Sequence, residues 1–144
     1  MQPQMIVLHH SGTDDGPEVN WVGIWKYHVE HNGWLSIGYH GGCEKMGDQY
    51  VGVFGRSWFW DGAHTLGYND RALGLCMVGN FMLAAPTPDQ LKKAAEICAT
   101  WMRLFHIGIN QIFMHKELNS TDCPGAMFNK KEFIETYLVD ALPI

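Results

Sequence analysis

The sequence predicts an α/β fold: one domain over residues 1–144, with a central mixed sheet of about five strands flanked by about three α-helices. Three observations carry this expectation. Apolar runs follow one another in the order strand, helix, strand, strand, strand, helix, strand, helix. The run from Ala72 to Val78 is continuous, as suits a central strand buried on both faces. Two helix starts are marked by capping residues, Thr87 and Asn129.

The elements follow in order. Residues 4 to 9 form a first buried strand, Met5-Ile6-Val7-Leu8, ending on His9. Asp15-Gly16-Pro17-Glu18 opens a helix, with Pro in the first turn and acids near the positive dipole end. Its inward stripe is Val19, Val22, Trp25 and Val29, and Gly33 stops it. A strand over Ile37 to Cys43 follows, and Gly47-Asp48 turns into a hairpin partner, Gln49 to Phe54. Residues 55 to 71, rich in Gly, aromatic and polar groups, read as a long surface loop of the kind that carries function. After the Ala72 strand, Thr87 caps a helix with Pro88 first and Gln90 closing a capping box. Its core stripe is Leu91, Ala94, Ala95, Cys98, Met102 and Phe105. Ile109 to Met114 gives a short strand ending at His115, and Asn129 with Glu132 starts a last helix whose Phe133, Tyr137 and Leu138 face inward.

Composition removes some function classes. The formal net charge is -5 and no Lys/Arg cluster is present, which argues against nucleic acid as a partner. No apolar stretch approaches the roughly 18 residues of a membrane span. The N-terminus, Met1-Gln2-Pro3-Gln4-Met5, has neither a basic region nor a small-residue cleavage site. The chain is therefore expected to be held in the cytoplasm after synthesis. Its four cysteines, Cys43, Cys76, Cys98 and Cys123, are expected to be reduced.

The chemistry lies in His9, His115 and Cys123. Two imidazoles and a thiolate make a three-ligand zinc set that leaves a fourth tetrahedral position open for water, the mark of a hydrolytic rather than a structural site. Taken singly, each residue is as well explained as a satisfied core histidine or an inert cysteine. His10 adds an ambiguity: on a strand it faces away from His9, and periodicity does not say which of the two points into the site.

The ordered set Ile37-Gly38-Tyr39-His40, Gly55-Arg56, Gly62-Ala63-His64, Gly67-Tyr68-Asn69, Leu73-Gly74-Leu75, Val78-Gly79-Asn80-Phe81 and His115 to Cys123-Pro124-Gly125 spans nearly the whole chain. It resembles the zinc-dependent N-acetylmuramoyl-L-alanine amidases of the amidase-2 superfamily. The resemblance is strongest to the branch of phage lysozyme-amidases and animal peptidoglycan recognition proteins. It implies that fold, Zn2+ as cofactor, and His9, His115 and Cys123 as its ligands. It also implies Tyr39 as the catalytic tyrosine, Thr121 at a position held by Lys or Thr in catalytic members, and His64, Tyr68 and Asn69 lining a muramyl-peptide groove. The chain departs from the family pattern at Gly41-Gly42-Cys43, which suggests a bulge or a close ligand approach. Trp58 and Trp60 are candidates for a sugar platform in the groove or for an aromatic cap on the core.

The resemblance implies hydrolysis of the amide between N-acetylmuramic acid and L-alanine by a single-domain phage or prophage endolysin without a wall-binding module. Such an enzyme would act as a monomer, waiting in the host cytoplasm and then cutting peptidoglycan, with no membrane insertion. A non-catalytic peptidoglycan-binding module and a cytoplasmic muropeptide-recycling amidase are the alternatives. Cys123 speaks against both, since binders of this type lack the cysteine and the recycling branch carries Asp there.

Overall fold

A computed structural model describes residues 1–14 and 20–143. The five strands are β1 Met5–His10, β2 Gly41–Met46, β3 Gln49–Phe54, β4 Ala72–Met77 and β5 Ile112–Met114. They form one mixed sheet in the order β3-β2-β4-β1-β5. Only the β2–β3 hairpin is antiparallel; β1 runs parallel to both β4 and β5, and β2 parallel to β4. The fully buried β4 is the central strand, as its unbroken apolar run predicts.

Alternation along the strands gives the sheet two unlike faces. Ile6, Leu8, Leu73, Leu75 and Met77 pack against helix α2, Pro88–Phe105. That helix presents Leu91, Ala94, Ala95, Cys98, Trp101 and Met102, the predicted stripe with Trp101 added and Phe105 half-buried at its end. Each such Leu or Ile, taken wholly out of water, contributes about 1.5–3 kcal/mol. The Thr87 hydroxyl accepts from the Gln90 N–H at the start of α2. The expected box is only half formed, because the Gln90 amide instead donates to the Val78 carbonyl. Helix α3, Lys130–Glu132, is capped by Asn129 as expected and runs on through a wide turn, Phe133–Leu138, into α4, Val139–Ala141. Its Phe133 and Leu138 close the core below α2.

The other face carries Met5, Val7, Ala72 and Cys76, together with Trp21 from helix α1, Trp21–Lys26. Three expectations are corrected here, and a fourth lies outside the described residues. The predicted helix entry at Asp15-Gly16-Pro17-Glu18, and Val19, lie outside the described residues. Asn20 is the cap, its side chain accepting from the Gly23 N–H. The inward residues are Trp21 and Ile24, whereas Val22 is 56% exposed and Trp25 41%. Residues 37–40 are not strand, and β2 starts at Gly41, four positions later than predicted for its start. Residues Ile109–Gln111 form a tight 3-10 turn, so β5 is shorter than expected.

The Gly41-Gly42 pair explains the shift. A Cβ on Gly41 would lie 2.9 Å from the Trp101 ring, and one on Gly42 would collide with the Cys76 carbonyl and lie 2.6 Å from the Trp21 ring. The close approach is thus by the protein's own tryptophans, one from each face, and not by a ligand or through a bulge.

Candidate metal centre

The strand register builds the centre. His9 lies opposite Cys76 on β4, and Leu8 opposite Met114 on β5, so His115 falls next to His9 just past the strand end. His9 is buried, with its ring centroid 4.6 Å from that of His115. Its Nδ1 is 3.5 Å from Cys123 Sγ. One ligand atom from each of His9, His115 and Cys123 lies within 4.8 Å of the others. A tetrahedral ion with bonds near 2.0–2.3 Å spaces its ligand atoms about 3.3–3.8 Å apart. The His9 Nδ1–Cys123 Sγ separation already matches that spacing, and the three donors are grouped closely enough to be drawn onto such an ion.

His10 takes no part. Its ring points to the other face, where Nδ1 accepts from the Phe81 N–H at 3.0 Å. Strand parity leaves the choice between the two histidines open, and this backbone contact decides it.

Outside the trio, each histidine is held through its second ring nitrogen. His115 Nε2 meets Asn119 Oδ1 at 2.9 Å, and the Asn119 amide donates to the Leu66 and Leu118 carbonyls, which fixes its oxygen toward the imidazole. His9 Nε2 meets His64 Nδ1 at 3.0 Å. The loop around Cys123 is set locally. Its N–H donates to the Thr121 hydroxyl at 3.3 Å, its carbonyl accepts from Lys116, and the Cys123–Pro124 peptide is cis. Thr121 itself is exposed.

Burial dominates the electrostatics. It pushes His9 well below its ordinary pKa, helped by neighbouring His64 and His115, and so keeps the imidazole in the neutral form that coordinates metal. Burial pushes the Cys123 thiol up to about 11, against smaller opposing effects of the His10 carbonyl and Lys116. At neutral pH the thiol keeps its proton until a cation displaces it. Tyr39 stacks obliquely 5.2 Å from His9 and packs against the cluster that holds Cys76. Burial, then Cys76 and Cys123, hold its pKa well above the usual value, so it stays a neutral phenol able to donate.

The loop at 55–71 contributes two residues to the centre directly, His64 and Thr65, whose hydroxyl lies 3.4 Å from His9 Nε2 and 2.8 Å from His64 Nδ1. Asn69 and Tyr68 do other work. The Asn69 side-chain oxygen accepts from the His64 and Thr65 N–H groups, both at 2.9 Å, and so shapes the loop. Tyr68 packs on Met5, Val7 and Ala72 with Arg71 over its ring. Trp58 is not brought to the centre. It packs edge-on against Trp101 and Phe105 of α2, on the opposite face of the sheet from His9, as a cap on the core. Trp60 is exposed and meets the interior through its carbonyl, which accepts from His40 Nε2.

Three participants had no separate signal in the sequence: Thr65, Cys76 and Asn119. Only Asn119 has one in retrospect, since it lies four residues after His115 in a helical turn.

A family model described as N-acetylmuramoyl-L-alanine amidase, Amidase_2, matches residues 1–126. The chain belongs to the Amidase_2 family. It is 37% identical over 135 residues to a human N-acetylmuramoyl-L-alanine amidase, covering 86% of this chain and 23% of that protein. The chain thus spans about a quarter of the length of that curated relative. Among solved structures it is similar to an endolysine N-acetylmuramoyl-L-alanine amidase, LysCS from Clostridium intestinale. That match has a TM-score of 0.79 and 31% identity, covering 92% of this chain and 81% of the other. It is also similar to the ectodomain complex of peptidoglycan recognition proteins LCa and LCx bound to tracheal cytotoxin. There the TM-score is 0.77 and the identity 26%, covering 94% and 86% of the two chains. The candidate centre lies on one face of the five-stranded mixed sheet. Among the described residues no helix is long and apolar enough to cross a membrane.

Proposed function

We propose that this chain is a zinc-dependent N-acetylmuramoyl-L-alanine amidase that cuts the bond between N-acetylmuramic acid and L-alanine in peptidoglycan, acting as a phage or prophage endolysin. The convergence of His9, His115 and Cys123, with Tyr39 beside them, carries this reading. The similarity to an endolysine amidase and to a complex that binds tracheal cytotoxin supports the wall substrate.

Bound zinc supplies Lewis acidity toward the amide carbonyl and lowers the pKa of water to about 7. His9, His115 and Cys123 would hold it through two neutral imidazoles and a thiolate. Tyr39, a half-buried phenol, donates a hydrogen bond to the oxyanion that develops on the carbonyl. The Thr121 hydroxyl oxygen accepts from the Cys123 N–H, so its O–H can donate a hydrogen bond to the reacting groups from the rim, without acting as a general acid. His64 and Asn69 shape the floor of the groove, with Tyr68 supporting it from the adjacent apolar cluster.

Digestion of purified sacculi, followed by mass spectrometry, tests the proposal. The expected products are free stem peptides beginning with L-alanine, lost on treatment with a chelator and restored by zinc. Retention of the protein on sacculi without any such release would make it a binding module and overturn the amidase reading.

A further inference from the structure

Beyond the three donors lies a directed chain of hydrogen bonds. His64 Nε2 is 3.1 Å from the Ala72 carbonyl, an acceptor only, so Nε2 carries the proton and Nδ1 of the same ring holds a lone pair. That Nδ1 faces His9 Nε2 at 3.0 Å and the Thr65 hydroxyl at 2.8 Å. The reverse arrangement fails at one end or the other. A proton on His64 Nδ1 would set the bare Nε2 against the Ala72 carbonyl, and a proton on His9 Nδ1 would set two lone pairs face to face.

The backbone is fitted to this ring. A Cβ on Gly62 would lie 2.5 Å from the His64 ring, and one on Gly74 would lie 2.6 Å from it. Asn69 holds the His64 and Thr65 N–H groups in place.

We propose that His64 is a positioning residue for the metal. Anchored on the Ala72 carbonyl, it accepts the Nε2 proton of His9 and leaves His9 Nδ1, the atom nearest Cys123, bare for coordination. The inference rests on the metal centre of the proposed function and assigns to His64 a task other than substrate contact.

The test has two arms. In the metal-free native protein, labelled with ¹⁵N at histidine, the expected signature is a scalar coupling across the hydrogen bond from His9 Nε2, as donor, to His64 Nδ1. A His9 protonated at Nδ1 overturns the proposal. In the second arm, zinc affinity is measured by competition with a chelator for native protein, His64→Leu and His64→Asn, each checked for fold by circular dichroism. His64→Leu keeps bulk but has no acceptor and is expected to bind zinc 10- to 100-fold more weakly. His64→Asn keeps an oxygen where Nδ1 stood and is expected to recover most of that loss. A folded His64→Leu protein with native affinity, or an Asn variant no better than Leu, overturns the positioning role. Failure of the native chain to take up zinc instead overturns the proposed function, so the two failures are distinct.

Discussion

On the side of the sheet that meets helix α2, Ile6, Leu8, Leu73, Leu75 and Met77 lie in one hydrophobic core. On the other side of the same strands, His9 and Cys76 face two further histidines, a tyrosine and a second thiol. Each strand therefore serves two purposes in alternate residues. The apolar face supplies the burial that makes the strands rigid, and the polar face uses that rigidity to hold its donors at fixed separations. Stability and chemistry should accordingly respond to different substitutions only a residue or two apart.

Breaking the polar face alone should give the largest effect. Cys123→Ser is expected to lose zinc-dependent cleavage altogether with little change in thermal midpoint. A metal-free variant that still cut sacculi at the native rate would end the metal assignment. Next comes Tyr39→Phe, which removes only a donor to the oxyanion and should lower turnover about 100- to 1000-fold with KM little changed. An unaltered kcat would take Tyr39 out of the mechanism.

The apolar face makes the opposite prediction. Leu75→Ala, beside Cys76 but turned toward α2, should cost about 2–5 kcal/mol in urea unfolding. The folded fraction should keep native zinc stoichiometry, and a lost metal with unchanged stability would show that the two faces are not separable as described.

The smallest effect is a pH dependence. His40 is buried, its Nε2 on the Trp60 carbonyl and its Nδ1 accepting from Gly74, and burial lowers its pKa to about 4. The folded state then binds fewer protons than the unfolded one between about pH 6.5 and 4. Stability from this residue is present above about pH 6.5 and falls as the pH drops through that window. Denaturation midpoints of native protein and His40→Gln, followed from pH 7 to 4.5, should converge as acid is added. Parallel curves would exclude His40 as the source.

How far the sequence revealed all this differs between the faces too. Strand β4, the Gln49–Phe54 partner and the α2 stripe were legible because burial there writes itself into a local pattern of apolar residues. The start of β2 was not, since glycines carry no side chain to pattern and their reason lies in Trp21 and Trp101, far along the chain. In α1, Trp21 and Ile24 point inward while Val22 and Trp25, equally apolar, stay outside; only the position of the sheet makes that distinction. At the centre, the spacing of His115 and Cys123 was visible as a motif. The contacts of His64 and Asn69 were not, because each depends on a partner that no periodicity encodes; for Trp58 the core-capping alternative was visible but not decided.

One feature of the topology bears on how an ion would come and go. Strand β1 lies between β4 and β5, so the backbone leading into His9 is paired on both sides as far as Leu8, and His9 itself is paired with Cys76 of β4. Its amides should exchange with solvent only through global opening. Cys123 belongs to a loop braced by a few local hydrogen bonds, which can part at far lower free energy. Release of a bound ion would therefore begin with the thiolate swinging away while His9 stays fixed. Its rate would follow the mobility of residues 115–125 and remain largely independent of the stability of the fold.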